Sequence, residues 1–102
     1  MDAETAIRLA VKSGKTVFGA NRTLHLLRTG VPRVVILAAN APNEVIEDID
    51  MLATANQIPI YQYRSNSWDL GQICGRPHMV AAMAVLEPGD ADITVLTGAG
   101  KK

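Results

Sequence analysis

Ala3, Ile7, Ala10 and Val11 recur at the spacing of one helical face and Gly14 follows them, so residues 2–13 read as a helix closed by a left-handed glycine. Lys15 to Phe18 reads as a short strand. Gly19-Ala20-Asn21-Arg22-Thr23 then turns the chain into a second helix that carries Leu24 and Leu27 inward and stops at Gly30 and Pro32. Val34 to Ala38 is an unbroken β-branched and aliphatic run without alternation, the pattern of a central strand covered on both faces. Such a strand requires helices on two sides.

Pro42, Asn43 and Glu44 begin a third helix in which Val45, Ile46, Ile49, Leu52, Ala53 and Asn56 share a side. Ile58 to Tyr63 reads as the next strand, and Pro59 near its start suits an outer position, where a missing N–H is tolerated. Ser65-Asn66-Ser67 supplies capping chemistry for a helix running to about Cys74, closed by Gly75 with Pro77 beyond. Ala81 to Leu86 is a second all-apolar strand. Pro88-Gly89-Asp90 breaks it, leaving a tail with the character of a short helix or strand and a frayed end over 98–102. The alternation of helix and strand predicts an α/β fold, a three-layer α/β/α sandwich around a mixed sheet of about four strands. One domain over 1–102 is expected, without repeats or linkers.

Ten basic and ten acidic residues cancel, so net charge alone argues for no nucleic-acid partner. Their distribution is more informative. Residues 1–40 carry Arg8, Lys12, Lys15, Arg22, Arg28 and Arg33 against Asp2 and Glu4, a net +4. Residues 41–63 carry Glu44, Glu47, Asp48 and Asp50 and no Lys or Arg, a net −4. Two differently charged solvated faces would account for this. The acidic start of the third helix also suits its dipole, so those carboxylates need no catalytic role. A single cysteine, Cys74, excludes an intramolecular disulfide and an all-cysteine metal site, which fits a reducing, cytoplasmic compartment. The acidic N-terminus and the lack of a long apolar run give no sign of secretion or of a membrane partner.

Candidate chemistry is sparse. Ser13-Gly14-Lys15-Thr16 looks like the end of a phosphate-binding loop, but the glycine required five positions before Gly14 is Leu9, and the motif follows a helix where a strand is needed. Cys74 and His78 with only His25 to add fall short of a zinc site, and Cys74 ends an apolar pattern, as buried cysteines do. No reaction, metal or cofactor is suggested, and the chain is expected not to be an enzyme.

Several segments together resemble the large-subunit ribosomal protein thirty-e family of archaea and eukaryotes, within the superfamily that binds kink-turn RNA. They are Gly14-Lys15 with Gly19 to Thr23; Val34 to Pro42; Ile58-Pro59-Ile60-Tyr61; and Leu70-Gly71 leading to Gly75-Arg76-Pro77-His78. Their order and separations match through Asp92. The resemblance implies a structural constituent of the large ribosomal subunit, cytoplasmic and ribosome-bound, contacting rRNA and neighbouring ribosomal proteins and monomeric when free. An alternative is the kink-turn-binding core protein of a guide-RNA ribonucleoprotein. That branch typically carries Asn-Glu where this chain has Asn21-Arg22, which leans toward the ribosomal one.

The family's three RNA-gripping loops fall on Gly19, Ala20, Asn21, Arg22 and Thr23; on Asn40 with its neighbours to Pro42; and on Gly75, Arg76, Pro77 and His78 running to Val80. Gly19 precedes a helix whose free N–H groups can donate to phosphate or to a base-edge acceptor, although a strand-to-helix turn alone would also call for glycine. Asn21 offers a donor and an acceptor to base edges, and Arg22 forks onto phosphate; both would also serve as an ordinary helix start. Asn40, at a strand end where Asn tolerates a left-handed turn, is the residue that reads a base in this family. The His78 imidazole either closes its loop or stacks on an unpaired base.

Overall fold

In the computed structural model, which describes residues 3–63, 66–75 and 79–91, eight elements alternate along the chain. They are α1 (Ala3–Ser13), β1 (Lys15–Phe18), α2 (Ala20–Thr29), β2 (Val34–Leu37), α3 (Asn43–Ala55), β3 (Ile60–Gln62), α4 (Ser67–Ile73) and β4 (Ala82–Glu87). The four strands form one mixed sheet in the order β1-β4-β2-β3. β4 runs antiparallel to both β1 and β2, while β2 and β3 are parallel.

The two inner strands explain the two apolar runs. Along β2, Val34 and Ile36 join Met83 and Val85 of β4 on one face, where Ala6, Ile7 and Ala10 of α1 and Leu70 of α4 cover them. Val35 and Leu37 join Ala82 and Ala84 on the other, beneath Leu27 of α2 and Ile49 and Ala53 of α3. A strand buried on both sides needs apolar residues at every position, and β2 is buried throughout. The expected α/β/α sandwich is this arrangement. Pro59 precedes an edge strand, so its missing N–H removes no ladder bond.

Three local readings are revised. Gly14 is not left-handed, since the positive-φ glycines are Gly19, Gly30, Gly75 and Gly89. It is small for a different reason: a Cβ there would run into the backbone of Glu87 and Pro88, which packs against the end of α1. The third strand begins at Ile60, not Ile58, because α3 closes through Gln57 at φ 58 and the Ile58 N–H donates back to the Ala53 carbonyl at 2.8 Å. Asn56 likewise ends α3, and its Nδ2 donates to the Leu27 carbonyl at 2.8 Å, which ties the ends of α2 and α3 together. The tail expected as a helix or strand lies, from residue 92 onward, outside the described residues.

Candidate nucleic-acid interface

Strand register decides which loops meet. Phe18 pairs with Met83 and Leu37 with Ala82, so the ends of β1 and β2 lie beside the beginning of β4. Leu37 also pairs with Gln62 in the parallel neighbour, which brings the end of β3 to the same place. Backbone bonds continue the ladder into the loops: the Gly19 N–H donates to Ala82 O at 2.9 Å, Ala38 to Ala81 O at 2.9 Å, and Tyr63 to Leu37 O at 2.7 Å. The loops after β1, β2 and β3 and the one before β4 therefore share one end of the sheet. The first, second and fourth of these contain the three segments singled out from the sequence. The loop after β3 was not singled out, because nothing in its composition distinguishes it from an ordinary helix start.

Gly19 occupies φ 109 and ψ 142 at the start of α2, a conformation essentially restricted to glycine, and nothing lies within 4 Å of where a Cβ would stand. Thr23 makes the first intrahelical bond, to Gly19 O at 3.0 Å, and no side chain caps the helix. Helix geometry thus leaves the N–H groups of Ala20, Asn21 and Arg22 without an intrahelical acceptor, next to an open approach. Asn21 and Arg22 are exposed, and with Val17, His25 and Leu26 they line an open groove of about 390 Å³ along α2. Among the described residues Arg22 forms no ion pair, and the first turn of α2 holds no acid. Thr23 differs from its neighbours: its side chain is fully buried, so it supports the loop from beneath.

Asn40 does not adopt a left-handed conformation. Its Oδ1 accepts the Ser67 N–H at 2.7 Å, across from the second loop to the first residue of α4. The Ser67 carbonyl in turn accepts the Val80 N–H at 3.0 Å, from the loop before β4. Ser67 is therefore a hub fastening the second and third loops, a role hidden in the sequence because it depends on backbone groups. With its oxygen committed inward, the exposed Asn40 side chain presents its amide N–H groups at the surface. Pro42 is exposed at the start of α3. Gly75 is left-handed at φ 72 with open space around it, as a chain reversal after α4 requires. Val80 is buried and anchors its loop by side chain and N–H alike. Arg76, Pro77 and His78 lie outside the described residues.

The phosphate-loop look-alike sits at the opposite pole. Ser13 Oγ donates to Leu9 O at 2.6 Å and accepts the Asp90 N–H at 2.9 Å, while Lys15 stands 3.9 Å from the Glu87 carboxylate. Those contacts fasten α1 to the end of β4. Cys74 is buried, with its Sγ 3.6 Å from Met83 Sδ, in keeping with a core role.

Residues 1–95 match the model of the ribosomal protein L7Ae/L30e/S12e/Gadd45 family. The large ribosomal subunit protein eL30 of Methanopyrus kandleri is 48% identical over 92 residues, 90% of this chain and 84% of that protein. Its counterpart in Methanothermobacter thermautotrophicus is 37% identical, covering 96% of this chain and all of that protein. That of Methanocaldococcus jannaschii is 41% identical, covering 94% of this chain and 87% of that protein. Among solved structures, a Bacillus halodurans protein of unknown function superposes with a TM-score of 0.74 at 20% identity, over 81% of this chain and 82% of that one. At that identity the likeness concerns the fold.

Proposed function

Because this chain belongs to the ribosomal protein L7Ae/L30e/S12e/Gadd45 family, we propose that it is a structural constituent of the large ribosomal subunit whose loop end binds and stabilises a kink-turn in rRNA. It is a large-subunit ribosomal protein by its relationships and not an enzyme. The strand register with its flanking backbone bonds is the observation that supports the finer reading, since it brings Gly19, Asn40 and Val80, one from each of the three segments, to one end of the sheet. Free helix N–H groups, an anchored asparagine amide and an arginine with no ion pair among the described residues are together a donor set that suits an RNA internal loop with tandem sheared G·A pairs. Neighbouring ribosomal proteins are its further partners, and the free protein is a monomer.

On a sucrose gradient of cell lysate the protein is expected to travel with the large subunit. A position among free soluble proteins, or with small guide-RNA particles, would overturn the ribosomal reading.

Charge placement gives a second test. α3 starts at the loop end and runs away from it, so Asp48 and Asp50 recede from the loops by roughly 1.5 Å per residue. Arg22 lies within the first loop, where a charge-assisted bond to phosphate contributes about 1.5–3 kcal/mol. Arg22→Ala is expected to weaken RNA binding about tenfold and to flatten the dependence of log K on log salt by about 0.7–0.9. The same outcome is expected for Arg76→Ala, whereas Glu47→Lys should change affinity little. Filter binding at several salt concentrations decides, and a gain from Glu47→Lys larger than the loss from Arg22→Ala would place the acidic helix against the RNA.

A further inference from the structure

Resting on the reading of the loop end as an RNA surface, we propose that Trp68 is a stacking platform for an unpaired base of the bound RNA, with Met79 as its apolar neighbour. Four large apolar side chains are exposed among the described residues: Val31, Met51, Trp68 and Met79. Val31 precedes β2 at the opposite pole, and Met51 lies on α3. Trp68 and Met79, 50% and 63% exposed, flank the Ser67 hub. Trp68 follows Ser67 directly, and Met79 directly precedes Val80, whose N–H the Ser67 carbonyl accepts at 3.0 Å. The Asn40 amide is held 2.7 Å from the Ser67 nitrogen.

Helix geometry points the indole toward the loops. Side chains on a helix lean toward its N-terminus, and Ser67 fixes that end of α4 beside the second and third loops. The buried face of α4 is made by Ser67, Leu70 and Gly71, so Trp68 is not needed to fill the core. One isolated exposed apolar residue needs no explanation. Two large ones adjoining Ser67 and Val80, which are bonded to each other and, through Ser67, to Asn40, form a surface with a use, since every nucleobase has an apolar face and an indole stacks on it irrespective of sequence. A near-neutral chain gains little from general attraction to phosphate, which makes sequence-tolerant stacking a fitting way to add affinity.

Trp68 is the chain's single tryptophan, so its fluorescence reports this position alone. Titration of the full chain with a kink-turn RNA bearing an unpaired loop nucleotide is expected to quench the emission, saturating where filter binding saturates. Trp68→Ala is expected to weaken binding roughly tenfold, with Trp68→Phe retaining most of the affinity and Val31→Ala all of it. Circular dichroism of each variant should remain native. RNA binding that leaves the emission unchanged and is unaltered by Trp68→Ala overturns the proposal while leaving the kink-turn reading intact. Unaltered RNA affinity combined with lost comigration with large subunits would also overturn it, by making Trp68 a protein contact. If the wild-type chain binds no kink-turn RNA, the reading beneath it falls as well.

Discussion

A kink-turn RNA whose sheared G·A pairs are replaced by Watson–Crick pairs is expected to bind about a hundredfold more weakly than the intact element, roughly 2.7 kcal/mol. The charge balance is the reason for so large a ratio. Ten cations offset by ten anions supply little of the sequence-independent attraction that lets basic proteins hold any duplex. On the proposed reading, affinity is expected to come from the fixed donors of the loop end: the N–H groups of Ala20 to Arg22 beside an open Gly19, and the Asn40 amide locked by Ser67. Regular A-form RNA hides its major-groove base edges in a deep, narrow cleft, whereas sheared pairs in a sharply bent loop leave base edges open to a protein. Titrating both RNAs at one salt concentration is the measurement. Superimposable curves would sink the kink-turn assignment.

Gly19→Val is expected to act twice. An L-residue at φ 109 and ψ 142 is strained whatever the space around it, so the folded protein should lose about 1–3 kcal/mol and melt several degrees lower. The added side chain would also stand in open space directly before the free N–H groups of α2, holding RNA away. Binding is thus expected to fall by more than about a hundredfold even well below the melting temperature, where circular dichroism is still native. The two effects separate experimentally. A folded variant that binds like the wild type would show that glycine is required there only by the backbone.

The sequence made local features legible and pairings not. β2 reads as a buried central strand because all four of its residues are apolar, and β1 is delimited by its flanking glycines. Nothing in Ala82–Glu87 says that this last strand inserts between β1 and β2, since its neighbours are chosen by contacts far along the chain. For the same reason the first, second and third loops could be named from the sequence through resemblance, but their meeting required the register. Thr23 and Val80 fall within the segments singled out for RNA contact yet are buried, Val80 in the core layer beneath α1 and α4, and only tertiary packing decides that. The Asn40 to Ser67 bond joins a side chain to a backbone N–H in another element, and no pattern of residue types announces it.

The insertion of β4 also sets an order of events during synthesis. Among the described residues β1 pairs with no strand except β4, and β4 is the last of the four to leave a translating ribosome. Until it emerges, β1 and the β4-facing edge of β2 stand unpaired, and the Gly19 N–H lacks the Ala82 carbonyl that fixes the first loop. Long-range pairings of this kind are slow to form and leave strand edges open meanwhile. The nascent chain consequently lacks the organised loop end until β4 has been made. If the loop end is the RNA surface proposed above, a chain truncated before β4 is expected not to compete for the binding site.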